Sequence, residues 1–273
     1  MKRLLEIRVL MGLLRPGCSR RANLWTRPMW IASGLVFRSR SILYFTLTNE
    51  LHMEIVILIT IVGLVVAAAI GYSIWSEKKR REGIQQLAGQ LGIEYREELA
   101  PGDREVFAKF ALASLGHNRV ISNILVADSG EIRMVIFDYR YTVGSGKNKS
   151  TPKQTVVMAQ SGELSVPTFQ LSPESLFQKI AGLFGFPDIN FEDDPGFSKA
   201  FKLTGPKVEQ IRAFFTAERR KELLSQRQVT LEGNRDHFLF YQGRRLWSIE
   251  ELKGLMGRAF SLYSIMRSEP DTV

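Results

Sequence analysis

Residues 55 to 75, IVILITIVGLVVAAAIGYSIW, form an apolar run without one charged side chain, and Ser76-Glu77-Lys78-Lys79-Arg80-Arg81 follows it directly. At about 1.5 Å of rise per residue, a helix of that length covers the ~30 Å hydrocarbon core of a bilayer. A helix also satisfies its own backbone hydrogen bonds where no water can do so. The run predicts a transmembrane anchor over residues 53–77, followed by a basic juxtamembrane segment at 78–82. Lys and Arg close to a span are retained on the cytoplasmic side. Four stand in a row at Lys78, Lys79, Arg80 and Arg81, whereas the upstream flank offers Arg38 and Arg40, set well back, with Glu50 and Glu54 nearer the run. The expected arrangement is a single-pass protein of the cell inner membrane or plasma membrane, with its N-terminus outside and its C-terminal domain in the cytoplasm. Tyr72 and Trp75 are expected at headgroup level, where rings with one polar edge settle.

A cleaved secretory signal is the rival reading, because Ala67-Ala68-Ala69 resembles a cleavage site. Signal peptides carry positive charge before an apolar stretch of roughly 7 to 15 residues, and here the stretch is longer and the charge follows it. A helix packed on the surface of a soluble core would have a polar face, and residues 55 to 75 have none.

The formal charge of +9 suggests nucleic acid until its distribution is examined. Residues 1–52 hold nine of the 37 basic residues and two of the 28 acidic ones, a net of +7, which leaves +2 for everything that follows. A near-neutral folded part without a basic stripe argues against a nucleic-acid partner. Residues 1–52 are Arg-rich, interrupted by Pro16 and Pro28, and without clear periodicity. A presequence, a disordered basic arm and a stretch upstream of a start at Met53 all account for them, and Met53, immediately before the span, favours the last. The apolar patch from Met29 to Phe37 is too short to span. Cys18 is the one cysteine, so the chain has no intrachain disulfide and no Cys-based metal site.

Residues 83–267 suffice for one domain with a real core, followed by a short tail at 268–273. Ile84, Leu87, Ala88 and Leu91 have helical spacing, so the chain continues as helix to about Gly92. A charged stretch, Glu94 to Asp103, precedes a helical piece around Val106 to Leu115. Val120 to Ala127, the turn Asp128-Ser129-Gly130 and Ile132 to Thr142 read as a hairpin. Gly144 to Lys153 is a loop tip, and Gln154 to Ala159 and Pro167 to Leu171 are further strands. Ser172-Pro173-Glu174 reads as a helix start, with Leu176, Phe177, Ile180, Leu183 and Phe184 as the buried stripe. Pro206 opens another helix with Val208, Ile211, Phe214 and Phe215 inward. Val229 to Leu231 and His237 to Gln242 suggest a hairpin around Gly233-Asn234. Ser248-Ile249-Glu250-Glu251 is a capping box for a last helix that buries Leu252, Leu255, Met256, Ala259, Tyr263 and Met266. The fold class is α+β, with an antiparallel sheet and several amphipathic helices behind one N-terminal transmembrane helix.

From Met53 onward the order of features resembles a group of bacterial single-pass membrane proteins that have no assigned activity. The matching stretches are the anchor with Lys78-Lys79-Arg80-Arg81, then Phe137-Asp138-Tyr139-Arg140-Tyr141, Gln154-Thr155-Val156-Val157 and Phe169-Gln170-Leu171-Ser172-Pro173-Glu174. Asp188-Ile189-Asn190-Phe191, Phe197-Ser198 and Gly205 through Phe215 continue it. The resemblance covers the anchor and most of the soluble domain, leaves residues 1–52 without a counterpart, and implies an anchored protein that starts near Met53.

Chemistry is sparse in the pattern. Gly144-Ser145-Gly146-Lys147 lacks the Gly five residues before the Gly-Lys pair, where Tyr141 stands, and the hydroxyl residue after Lys147, where Asn148 stands, so it is a loop and not a phosphate cradle. Asp138 falls on the strand face shared by Met134 and Ile136, where a carboxylate needs a partner such as an Arg or carries a raised pKa. That position makes it either half of a structural ion pair or, with Glu174 or His117, a candidate catalytic acid. His52, His117 and His237 are not spaced as metal ligands, and His237 is expected half-exposed at a strand start. Glu192-Asp193-Asp194 lacks the alternating oxygens of a calcium loop and reads as a solvated turn. No cofactor or metal is implied. The expectation is a non-enzymatic binding or scaffold module at the inner membrane surface, its partners the lipid bilayer and another protein. An enzyme built around Asp138 and a domain that recognises anionic lipid headgroups are the alternatives.

Overall fold

The computed structural model describes residues 31–174, 186–226 and 228–267, with side-chain surroundings within these from residue 52 onward. The chain divides into two compact units, 1–70 and 71–273. The described part of the first is helix alone, belonging to α1 (Ile31–Leu91). That helix begins well upstream of the apolar run. Its large apolar side chains from Met53 to Trp75 are exposed, among them Leu58, Leu64 and Ile70.

The second unit is built on eight strands, β1 (Glu94–Arg96), β2 (His117–Asp128), β3 (Arg133–Thr142), β4 (Lys153–Gln160), β5 (Val166–Pro173), β6 (Phe201–Thr204), β7 (Thr230–Arg235) and β8 (His237–Tyr241). They form one sheet in the order β1-β2-β3-β4-β8-β7-β5-β6, with every described pair antiparallel. The first hairpin forms where the turn Asp128-Ser129-Gly130 predicts it, with Gly130 at φ +83.

Both faces of the sheet are covered. The end of α1 and α7 (Ile249–Met266) lie on one face, and α4 (Pro195–Ala200), α5 (Val208–Phe214) and α6 (Ala217–Leu223) join them in a core that includes Ile84, Ile136, Val157, Leu171, Phe240 and Leu255. On the other face, α2 (Pro101–Phe107) and α3 (Ala111–Ser114) bring Phe107 and Leu112 onto Phe137, Val156 and Leu239. Cover on two sides explains why β3 and β4 are buried at nearly every position and carry the unbroken apolar runs Met134 to Phe137 and Val156 to Ala159 instead of a strict alternation.

Four details differ from the sequence reading. Ser172 and Pro173 still belong to strand β5, paired with Lys202 and Phe201, and helix begins only at Glu174; the stripe from Leu176 to Phe184 lies outside the described residues. The hairpin of β7 and β8 turns at Arg235-Asp236, with Arg235 at φ +57, and Gly233 and Asn234 remain in β7. His237 is buried, its Nδ1 2.8 Å from Asp236 Oδ1. Asp193 and Asp194 are not simply solvated: they hold the buried Arg220, at 2.5 and 3.2 Å, and Asp194 also accepts from Phe197 N at the start of α4. The first and last of these have the same origin, a partner distant in sequence, Lys202 and Phe201 for β5 and Arg220 for the two aspartates, which the local pattern does not contain.

Candidate functional site

The end of α1 repeats every three or four residues on one side, Glu77, Arg80, Ile84, Leu87 and Ala88, and the inward row of β3 reads Arg140, Asp138, Ile136, Met134. The two rows match in charge and polarity. Glu77 Oε1 lies 2.8 Å from Lys153 Nζ and 3.8 Å from Arg140 Nη1, Arg80 meets Asp138, and the apolar residues that follow pack together. Gly92 at φ +65 lets Ile93 N donate to Ala88 O at 3.1 Å, which closes the helix.

Asp138 is the centre of this arrangement. Its Oδ2 accepts from Arg80 Nε at 2.6 Å and from Asn123 Nδ2 at 2.9 Å, and its Oδ1 accepts from Arg80 Nη2 at 2.8 Å and Thr155 Oγ1 at 3.1 Å. Thr155 Oγ1 in turn accepts from Trp247 N, and Arg80 Nη1 donates to Trp247 O at 2.8 Å. Asn123 reaches the carboxylate because β2 bulges between Ser122 and Leu125, with Asn123 at φ +56, a left-handed conformation that Asn tolerates better than most residues. The bidentate guanidinium and two neutral donors use the carboxylate's acceptor capacity. Asp138 is thus half of a bidentate ion pair that joins α1 to β3.

Arg80 therefore differs from its expected place among the cations beside a membrane. Its side chain is only 18% exposed and is committed to the fold. Lys78, Lys79 and Arg81 remain exposed. Lys78 lies 3.8 Å from Glu82, and Lys79 Nζ stands 5.1 Å from the Trp75 ring, which itself lies 5.9 Å from Tyr72. Glu174 and His117 are exposed and do not approach Asp138: His117 pairs with Thr142 at the far end of β3, and Glu174 follows β5 beyond the other side of the sheet.

Beside Asp138 a cleft of about 190 Å³ is lined by Glu77, Arg81, Ser122, Asn123, Arg140 and Lys153, among others.

A second buried carboxylate was not legible in the sequence. Glu232 is 2% exposed on the β7 face turned toward α3. It accepts from Ala111 N at 2.6 Å, from Leu112 N at 3.2 Å and from Tyr241 Oη at 3.1 Å, with Gln170 Nε2 at 3.5 Å. None of these donors is charged, and burial pushes the carboxyl up to about 7. It borders a cavity of about 300 Å³ with Lys109, Phe110, Thr168, Gln170 and Thr204. The lone acid between Leu231 and Gly233 was the available signal, and placing a turn there hid it.

No protein-family model, curated protein or solved structure matches this chain. The site must be read from its own chemistry. Among the described residues, no group of three or more His, Cys, Asp or Glu is placed to hold a metal ion. The arrangement around Asp138 holds a helix on a sheet and leaves half-exposed cations at its edge; a free nucleophile beside a base is not among its features.

Proposed function

We propose that this is a single-pass membrane protein whose folded domain is a binding module on the cytoplasmic face, with another protein at the membrane as its partner. The observation that carries the reading is the helix from His52 to Leu91, long and apolar enough to cross a bilayer, with none of its most apolar stretch buried. Exposed apolar surface on this scale is avoided in water and is satisfied by lipid. Tyr72 and Trp75 end the run, and exposed Lys78, Lys79 and Arg81 follow it, the order that keeps those cations in the cytoplasm. The commitment of Asp138 to Arg80, Asn123 and Thr155 favours a module that binds over one that catalyses.

Three measurements test this. Alkaline carbonate should leave the full chain in the membrane pellet, and release to the supernatant overturns the anchor. A phosphatase reporter fused after Val273 should be inactive, since the enzyme needs an oxidising exterior; activity overturns the orientation. Pull-down of the intact protein from native membranes should enrich one protein class over an anchor-only control.

A further inference from the structure

We propose that the cleft between Arg81, Arg140 and Lys153 binds the phosphodiester of an anionic phospholipid, with Glu77 as the internal carboxylate that the phosphate displaces. The inference deepens the membrane-anchored reading and rests on it. Asp138 and Arg80 neutralise each other at the back of the cleft, so its mouth holds three cations and one acid. The side chains of Arg140 and Lys153 are 41% and 40% exposed, and that of Glu77 is 54% exposed. The Glu77 carboxylate already bridges Lys153 and Arg140, and a phosphate oxygen can take the same place. Ser122 and Asn123 add a hydroxyl and an amide at the wall.

Depth agrees with charge. Glu77 and Arg81, which line the cleft, follow Trp75 by two and six residues of helix, about 3 and 9 Å along the axis, so the cleft straddles the depth between them. The headgroup layer on each side of a bilayer is about 5–8 Å deep. With Trp75 at the hydrocarbon boundary, the cleft opens at the level of the lipid phosphates. A surface cation close to an anionic leaflet contributes roughly a fivefold preference for it.

The test uses the full chain reconstituted into phosphatidylcholine vesicles with and without phosphatidylglycerol, read by flotation and by native mass spectrometry of retained lipid. Wild type should float with both vesicle types and retain phosphatidylglycerol selectively. Arg140→Gln with Lys153→Gln should still float and lose that selectivity by roughly 25-fold. The charge-matched control, Lys221→Gln with Lys253→Gln on exposed positions away from the cleft, should keep it. Glu77→Gln should retain more phosphatidylglycerol than wild type, a gain that a misfolded protein would not show. Failure to float with neutral vesicles sinks the membrane reading itself. Flotation without selectivity, equal loss in the control pair, or no gain in Glu77→Gln overturns the cleft alone. Glycerol phosphate in solution should not displace the retained lipid at millimolar concentration; displacement assigns the site to a free phosphate compound and overturns the lipid as its source.

Discussion

Arg80 and Asp138 are each poorly exposed, 18% and 10% by side chain, so removing one leaves the other as an uncompensated charge. Arg80→Ala and Asp138→Ala should each lower stability by about 3 kcal/mol, while Arg80→Met combined with Asp138→Leu should cost less than either alone. Denaturant unfolding of the full chain in detergent checks this; additive losses would mean that the pair does not act as a unit. Glu232 belongs to the same scale with the opposite electrostatics. Its carboxyl titrates near 4.5 when unfolded and about 7 when folded. The folded state therefore holds the proton more tightly, and the stability this contributes is complete below about pH 4.5 and is lost as pH rises through about 7. The loss is on the order of 3 kcal/mol. Glu232→Gln should flatten the pH dependence between 5 and 7 whatever it does to absolute stability, and an unchanged slope would show that Glu232 is not the group responsible.

Two glycines show how elements approach one another. A Cβ on Gly83 of α1 would stand 2.2 Å from Ile249 Cδ1 at the start of α7, which is the end of a flexible side chain. Gly83→Ala gains about 1 kcal/mol of helix propensity and spends a comparable amount on turning Ile249, so it should be close to neutral. Gly83→Val should lose about 2 kcal/mol and recover part of that with Ile249→Ala. A Cβ on Gly233 of β7 would meet the Phe169 ring at 2.3 Å and Pro167 O at 2.9 Å. Backbone cannot retreat as a methyl can, so Gly233→Ala should be the more damaging alanine variant, by about 2 kcal/mol. Thermal unfolding in detergent ranks them, and equal effects would contradict the two contact geometries. The elements themselves were largely visible beforehand. The hairpin of β2 and β3 and the capping box of α7, in which Ser248 Oγ accepts from Glu251 N and Glu251 accepts from Ser248 N, follow from local chemistry. Strands β1 and β6 were not visible, because three or four residues in each carry too short a pattern to separate from loop.

At the scale of the whole molecule, the charge of +9 divides into a basic segment before the apolar run and a nearly neutral remainder. Within that remainder the sheet has an uneven face. Toward α2 and α3, strands β3, β4 and β8 present Phe137, Val156 and Leu239, whereas β5, β6 and β7 present Gln170, Thr204 and Glu232. Gln170 Oε1, Ser172 Oγ and Thr230 Oγ1 are buried there without a hydrogen-bond partner among the described residues. Burial raises the Glu232 carboxyl into the neutral range, and the neutral donors around it, Leu112 N, Tyr241 Oη, Ala111 N and Gln170 Nε2, offset only part of that rise.

The sequence by itself determined what depends on neighbours along the chain: the long apolar helix, its basic flank, the α+β content and the caps and turns that start and stop elements. It also placed Asp138 on the face of Met134 and Ile136, because strand periodicity alone assigns faces. Only the tertiary structure decided which charges meet. Arg80 and Asp138 are far apart in sequence, and pairing between distant residues is set by how a helix lies on a sheet, a choice that local spacing does not encode. For the same reason the four cations after the apolar run, alike in sequence, divide into one that secures the fold and three that face outward.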